Sequence, residues 1–491
     1  MKETKTINKK WEEDFFLSQR KTILAEHPSG KDVDFDEAVD YLKAIPEKKV
    51  LVNVLNKAEQ TGDVCLIAGM GHTELADQID LLRYIQNEGK AHFLATTVDS
   101  FTRDHNFAAA DRGLEESIKT GRSVLNGLPV CAHGLKGMRK LFESIDVPIQ
   151  SRFASWDPRI IHEILFAAGH TGNSGSAMFT FWNYNKRVPL ETVLYNYQHI
   201  YRLQGYYQEK GIPMCDCPYG VSPVLTPPSS AIIGDLSQCL IMAEQGLKYL
   251  LVGFPCQGNL LQDVACGKAF YKLCRHYLDR FGYDDVKLFR EVYYIFGRFP
   301  ANPIETFIVT SLNLLIAKLV GAQVAYIRTV SEHGPIPMKE DYGASYRAAN
   351  FTRELFRQQV IDLDPKLMEA EAEIFEREVR FIFDTMLDRG NGDVCAAIAY
   401  GIASGLMDNP WPTHPSVAGK VLGVRDAEGA IRYFDTGNIP FPSEIKDFHK
   451  EKLAQRSEKD RRKVDYNTVV YDLLAIGEGA FLKPVPPDDV C

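Results

Sequence analysis

The chain has 491 residues, 45% of them hydrophobic and 25% charged, with a formal net charge of -9 and an isoelectric point near 5.8. That balance belongs to an enzyme-sized folded chain with enough apolar material for a large core, and it excludes disordered and fibrous classes. The acidic excess gives no electrostatic case for nucleic acid or an anionic membrane surface as partner.

The opening MKETKTINKKWEEDF is polar, and neither a signal-peptide stretch nor a membrane span is read anywhere along the chain, so a cytoplasmic protein is expected. The ten cysteines show no C-x-x-C spacing, and several sit in apolar runs such as SQCLIMAEQG. They read as buried free thiols in a reducing compartment. Without H-E-x-x-H or a Cys/His cluster at ligand spacing, no metal site is predicted. G-x-S-x-G and the P-loop pattern are also missing, which sets aside α/β-hydrolases and P-loop nucleotide enzymes.

In chain order, DFDEAVDYLKAIP predicts an amphipathic helix that starts at a capping Asp34, aligns Phe35, Ala38, Val39 and Leu42, and stops at Pro46. Strand-length apolar runs then alternate with helical patterns: VCLIA from Val64, HFLATTV from His92, VPIQSR from Val147, SAMFTFW from Ser176, IPMCDC from Ile212, YLLVGF from Tyr249, YYIF from Tyr293 and QVAYIRT from Gln323. Runs apolar on both sides of the alternation fit a parallel sheet covered on both faces. An open doubly wound sheet would bring a Gly-rich phosphate turn, but AGMGHTEL lacks the third glycine of G-x-G-x-x-G. About eight strands over roughly 250 residues predict an α/β fold of the (β/α)8 TIM barrel type. Two helical stretches follow, from about Met338 to Val360 and from Pro365 to Leu387, and the last part of the chain, with MDNPWPTHPS and FDTGNIPFPSEIK, reads as irregular. RSEKDRRKVD, mixed in sign, reads as a solvated helix face. The expected division is an N-terminal helical segment 1–60, a barrel 61–335, and C-terminal helices with an extension packed on the barrel, 336–491.

Barrel function gathers at the C-terminal ends of strands. That rule selects Arg103 in TVDSFTRDHNF, Arg152 after VPIQ, Asn183 and Tyr184 after SAMFTFW, and Arg328 and Glu332 in YIRTVSEHG. Arginine's planar fork holds a carboxylate through two parallel hydrogen bonds, so an anionic ligand is expected; the alternative for Arg103 and Arg152 is pairing with a neighbouring Asp99, Asp104 or Asp157. Tyr219 in CDCPYG, Asn126 in VLNGLP and Phe299 in GRFP sit at plausible loop starts.

The series EAVDYLKAIP, DLLRYIQ, TVDSFTR, GRSVLNGLP, GLKGMRK, PIQSR, AEQGLK, GNLLQDVA, GPIPMKE and VRDAEGAIRYFDTGNIPF resembles the epsilon subunit family of glutamate mutase (methylaspartate mutase) in the same order, from about Trp11 to Arg456. The resemblance implies a (β/α)8 barrel that holds the substrate of an adenosylcobalamin-dependent carbon-skeleton mutase. It also implies a homodimer of this chain in a heterotetramer with a small cobalamin-binding sigma-like subunit carrying D-x-H-x-x-G, a motif not found in this chain. By resemblance Arg103 and Arg152 match two of three arginines that clamp substrate carboxylates, and Tyr184 matches a substrate-contacting tyrosine. Gly71, Asn126, Asn183, Phe299, Arg328, Glu332 and Ile336 fall at cofactor-contacting positions, with Arg328 where the family has lysine; Tyr219 is grouped with them as a loop-start residue.

The departures are on the substrate side. Gly69 stands where the third clamp arginine is expected, Ser174 where a glutamate receives the substrate ammonium, and Thr180 where the family has tyrosine. Arg298 stands at a family glycine and is the candidate for a re-sited anion clamp; pairing with Glu305 or pointing to solvent is its structural alternative. The expected function is a radical rearrangement of a carboxylic acid related to glutamate. Glutamate mutase proper, converting L-glutamate to threo-3-methyl-L-aspartate, and a non-catalytic homologue remain as alternatives.

Overall fold

The computed structural model describes residues 6–219, 224–294, 297–334 and 337–482. Nine short strands form one sheet: β1 (Cys65–Ile67), β2 (Gly69–Met70), β3 (Leu94–Thr96), β4 (Ile149–Arg152), β5 (Gly172–Ser174), β6 (Cys215–Cys217), β7 (Tyr249–Cys256), β8 (Lys287–Tyr294) and β9 (Val324–Tyr326). Its order is β1-β9-β8-β7-β6-β5-β4-β3-β2, with every pairing parallel. The two end strands are halves of one run interrupted at Ala68, so the sheet closes on itself as a barrel with eight strand positions. This is the (β/α)8 architecture expected, with helices between successive strands.

The interior holds alternate residues of the strands, including Cys65, Ile67, Phe93, Ala95, Cys215, Cys217, Leu251 and Phe289. The helix Leu51–Thr61 joins that same cluster through Leu51, Val52, Leu55 and Ala58. The Leu51 amide donates to Thr171 Oγ1 at 3.0 Å, just before β5, which seats this helix as a plug at the N-terminal end of the barrel. The opposite end is therefore the open one.

The predicted helix appears as Phe35–Ala44, with the Asp34 carboxylate accepting from the Glu37 amide. Seven of the eight strand runs fall wholly or partly on strands; one does not. SAMFTFW is the helix Ala177–Asn183, and the strand lies just ahead of it, at Gly172–Ser174. YYIF overlaps only the end of β8, and Ile295 and Phe296 lie outside the described residues.

The C-terminal region is more regular than expected. After Lys339–Phe356 and Pro365–Arg389 come the helix Val394–Ser404, an antiparallel hairpin of β10 (Val421–Arg425) and β11 (Ile431–Thr436), and the helices Ser443–Asp460 and Tyr466–Ala475. Within RSEKDRRKVD, Arg456 is buried and bonds Asp472 at 2.6 and 2.9 Å, so one residue of that run is structural and not solvated. One helix, Pro303–Val320, is long and apolar enough to cross a membrane by length and composition; here it packs on β8 and β9. All nine cysteines among the described residues are buried and unpaired.

Candidate functional site at the barrel mouth

A cavity of about 320 Å3 opens where the strands end, and its lining follows the barrel in order: Gly69, Thr97 and Val98, Arg103, Asn126, Arg152, Ser174, Tyr184, Tyr219, Tyr326 and Arg328, with Phe153, Ala154 and Phe179 between them. Gly69, Arg152, Ser174 and Tyr326 lie at or next to the C-terminal ends of β2, β4, β5 and β9. The strand-end rule and the structure therefore select the same place.

Arg152 is 9% exposed and tightly held. Its Nη2 donates to Glu291 Oε1 at 2.5 Å, and its Nη1 lies 3.4 Å from both Glu291 Oε2 and Gln150 Oε1. The Tyr219 and Tyr326 rings lie 4.8 and 4.4 Å from the guanidinium, each within cation–π range. Burial by itself would lower its pKa, but Glu291, Tyr219 and Cys217 raise it, so the cation persists. The partner is thus Glu291 on β8, not one of the nearby aspartates considered from sequence.

Arg328 bonds Glu332 through Nη1 at 2.7 Å and lies 4.9 Å from the Tyr326 ring and 5.9 Å from Phe299. Burial opposes its charge while Tyr326 and Glu332 support it. Its Nε is buried with no partner among the described residues. Arg103 closes the short helix Ser100–Arg103, started by the Asp99 side chain, and its Nε is likewise buried without a partner. No ion pair to Arg103 is formed among the described residues.

Ser174 is fully buried at the end of β5, with a hydroxyl on the cavity wall that has no partner among the described residues. Tyr184, half exposed, stands at the C-terminal end of the helix Ala177–Asn183, its ring edge-on to Phe179 at 5.1 Å. Asn126 lines the cavity while its Oδ1 accepts from the Ser100 amide.

Other predicted residues stand apart. Thr180 shares a 2.7 Å hydrogen bond with Tyr197 and lines an adjoining cavity of about 530 Å3 that shares Arg103, Ala154 and Tyr184 with the first. Asn183 donates to Phe179 O, and Phe299 is buried 5.5 Å from Tyr294; neither lines the mouth cavity. Gly71 is packed against Thr97 and Gly127. Arg298 is exposed and lies over Gly477 in the C-terminal region, so the geometry does not bring it to the cavity as a replacement clamp. Ile336 lies outside the described residues.

Sequence reasoning missed Glu291, Tyr326 and Phe179. Tyr326 was recoverable, lying inside the predicted run QVAYIRT two positions before Arg328 and closing the observed β9. Glu26, His105 and Asp157 bring ligand atoms within 4.8 Å of one another, a grouping the sequence spacing hid. Both Asp157 carboxylate oxygens already bond Arg159, which fills the place of a cation.

A closed parallel barrel with a charged and aromatic cavity at the strand ends defines a TIM-barrel enzyme. The sequence model of the methylaspartate mutase E chain family matches residues 45–484. The chain is similar to the glutamate mutase epsilon subunit of Treponema denticola, 34% identical across 97% of this chain and 98% of the relative. It is also similar to those of Desulfitobacterium hafniense, 33% identical across 96% and 98%, and Yersinia enterocolitica, 32% identical across 97% and 98%. It belongs to the methylaspartate mutase E chain family and is a mutase subunit, an isomerase by class.

Proposed function

We propose that this chain is the substrate-holding barrel subunit of an adenosylcobalamin-dependent carbon-skeleton mutase acting on a small carboxylic acid related to glutamate. The observation that carries this reading is the convergence of Arg103, Arg152 and Arg328 on one cavity at the strand ends. In the same reading the chain dimerises, binds a small sigma-like subunit with the D-x-H-x-x-G motif, and works in the cytoplasm. Residues 61–335 form the catalytic barrel, between an N-terminal helical segment and a C-terminal extension.

The mouth residues fit such a cofactor. The Arg328 Nε is a buried donor without a partner among the described residues, and Asn126 and Arg328 both reach the cavity from its rim. When bound, adenosylcobalamin supplies the radical that starts the rearrangement. The chain's own task is to orient the acid, meet its charge and keep water away. Arg103 offers an unpaired cation to the carboxylate, Tyr184 flanks it, and Phe153, Phe179 and Tyr219 form a dry wall.

Adenosylcobalamin affinity of this chain assembled with a sigma-type subunit tests the reading. Arg328→Met is expected to weaken binding about tenfold, the loss of one charge-assisted contact. Unchanged affinity contradicts the cofactor-facing role.

A further inference from the structure

We propose that the mouth cavity selects a small monocarboxylate with an uncharged, hydrogen-bonding tail, against dicarboxylates and amino diacids. This inference rests on the reading of that cavity as the substrate site.

Of the three arginines that line the cavity, two already have carboxylate partners. Arg152 and Glu291 form a pair in which Glu291 is wholly buried and Arg152 nearly so, with Tyr219 and Tyr326 within 5 Å of the guanidinium. Such a pair can still donate an N–H, but it presents no net charge. Arg328 is paired with Glu332 at 2.7 Å. Arg103 alone lines the cavity without an ion pair among the described residues, its Nε buried and unpartnered. Among the described residues the site therefore has one arginine outside any ion pair, and the buried Asp99 feels its charge without reaching ion-pair distance.

One cation neutralises one carboxylate. A second carboxylate would be desolvated against a neutral pair and aromatic rings, and that loss is not offset. A substrate ammonium is no better placed, because Glu291 is committed to Arg152 and Ser174 offers only a hydroxyl. That hydroxyl is fully buried and unpartnered, and it suits a neutral hydroxyl or carbonyl group on the ligand. Val98, Phe153, Ala154 and Phe179 favour an apolar chain between the two ends.

The test compares 5-hydroxypentanoate with glutarate, equal in carbon count, by calorimetric titration of the full chain assembled with its cobalamin-loaded partner. 5-Hydroxypentanoate is expected to bind about tenfold more tightly, since glutarate must leave one carboxylate without a counter-charge. Arg103→Met is expected to weaken 5-hydroxypentanoate by a similar factor without lowering the melting temperature. Glu291→Gln frees the charge of Arg152 and is expected to narrow or reverse the preference. If that variant fails to fold, the wild-type ratio and Arg103→Met decide. Glutarate binding as tightly as 5-hydroxypentanoate, or more tightly, overturns this inference and leaves the mutase reading standing. Failure of both acids to bind overturns the two together.

Discussion

Gly69 and Gly71 stand two residues apart at the end of one strand run, and the physical demands on them differ. A Cβ at Gly71 would lie 2.4 Å from Thr97 Oγ1, 2.7 Å from Thr97 O and 3.0 Å from Gly127 Cα, two of them backbone atoms that cannot swing away. At Gly69 a Cβ would meet the Tyr326 hydroxyl at 3.1 Å and the Thr97 methyl at 3.2 Å, both ends of side chains. Gly71→Ala is therefore expected to destabilise the chain by about 1–3 kcal/mol, as overpacking does, and Gly69→Ala by less. Chemical denaturation of the two variants checks the order, and equal losses contradict it. Gly69 also donates its amide to Tyr326 at 3.1 Å, so the place where the family resemblance expects an arginine is occupied by a tyrosine tip. The sequence could show that an arginine was missing there. It could not show that Arg152 is neutralised, because Glu291 is 139 residues away and barrel pairings between distant strands leave no local signature.

At the scale of elements, β5 is instructive because it carries no apolar residue: it reads Gly172, Asn173, Ser174. Gly172 faces inward where Leu51 of the plugging helix arrives, and a Cβ there would lie 2.3 Å from a Leu51 methyl carbon. Asn173 faces the helix layer and is saturated with polar partners: Ser151 and His162 on its Oδ1 at 2.8 Å each, and Asp216 on its Nδ2 at 3.1 and 3.0 Å. Hydropathy could not find such a strand, and it seized instead on SAMFTFW, whose apolar run is buried nearly all round as a helix started by the Ser176 side chain. Strands such as β1, β3 and β7 were legible because apolar residues dominate both their faces.

The Asn173 network has a pH signature. Burial pushes Asp216 up to about 8, far above the ordinary carboxyl value of about 3.9. Between those values the folded state holds a proton that the unfolded chain has released, so Asp216 makes stability fall as pH rises from about 4 to about 8. Asp216→Asn removes this dependence. Melting temperatures of wild type and variant should converge near pH 4 and separate toward pH 8, with the variant the more stable there; a constant gap across that range would refute the assignment.

Across the whole molecule, the two ends of the barrel are treated differently. The Leu51–Thr61 helix closes one end with apolar side chains, and the cavity lined by Arg103, Arg152 and Arg328 opens at the other. The C-terminal region then fastens the loops around the mouth: Thr413 donates its amide and hydroxyl to Trp182 O at 2.9 Å each, and Arg425 donates to Gln257 O, just beyond β7, at 2.7 Å. The hairpin that supplies Arg425 is itself anchored by Arg432, which bonds both Glu371 oxygens at 2.7 Å. This region read as irregular because Pro and Gly dominate its connections, while its order comes from apolar packing of Val424, Ile431, Val464 and Val469 joined by buried ion pairs between residues distant in sequence.

In the proposed function, a radical mutase meets its substrate carboxylate with Arg103. Anaerobic assembly of the full chain with a sigma-type subunit and adenosylcobalamin, followed by electron paramagnetic resonance as small acids are added, tests this most directly. An organic-radical signal that grows with a monocarboxylate, and is lost in Arg103→Met while the cofactor stays bound, is the predicted result. Bound cofactor with no radical signal from any carboxylic acid would contradict the account.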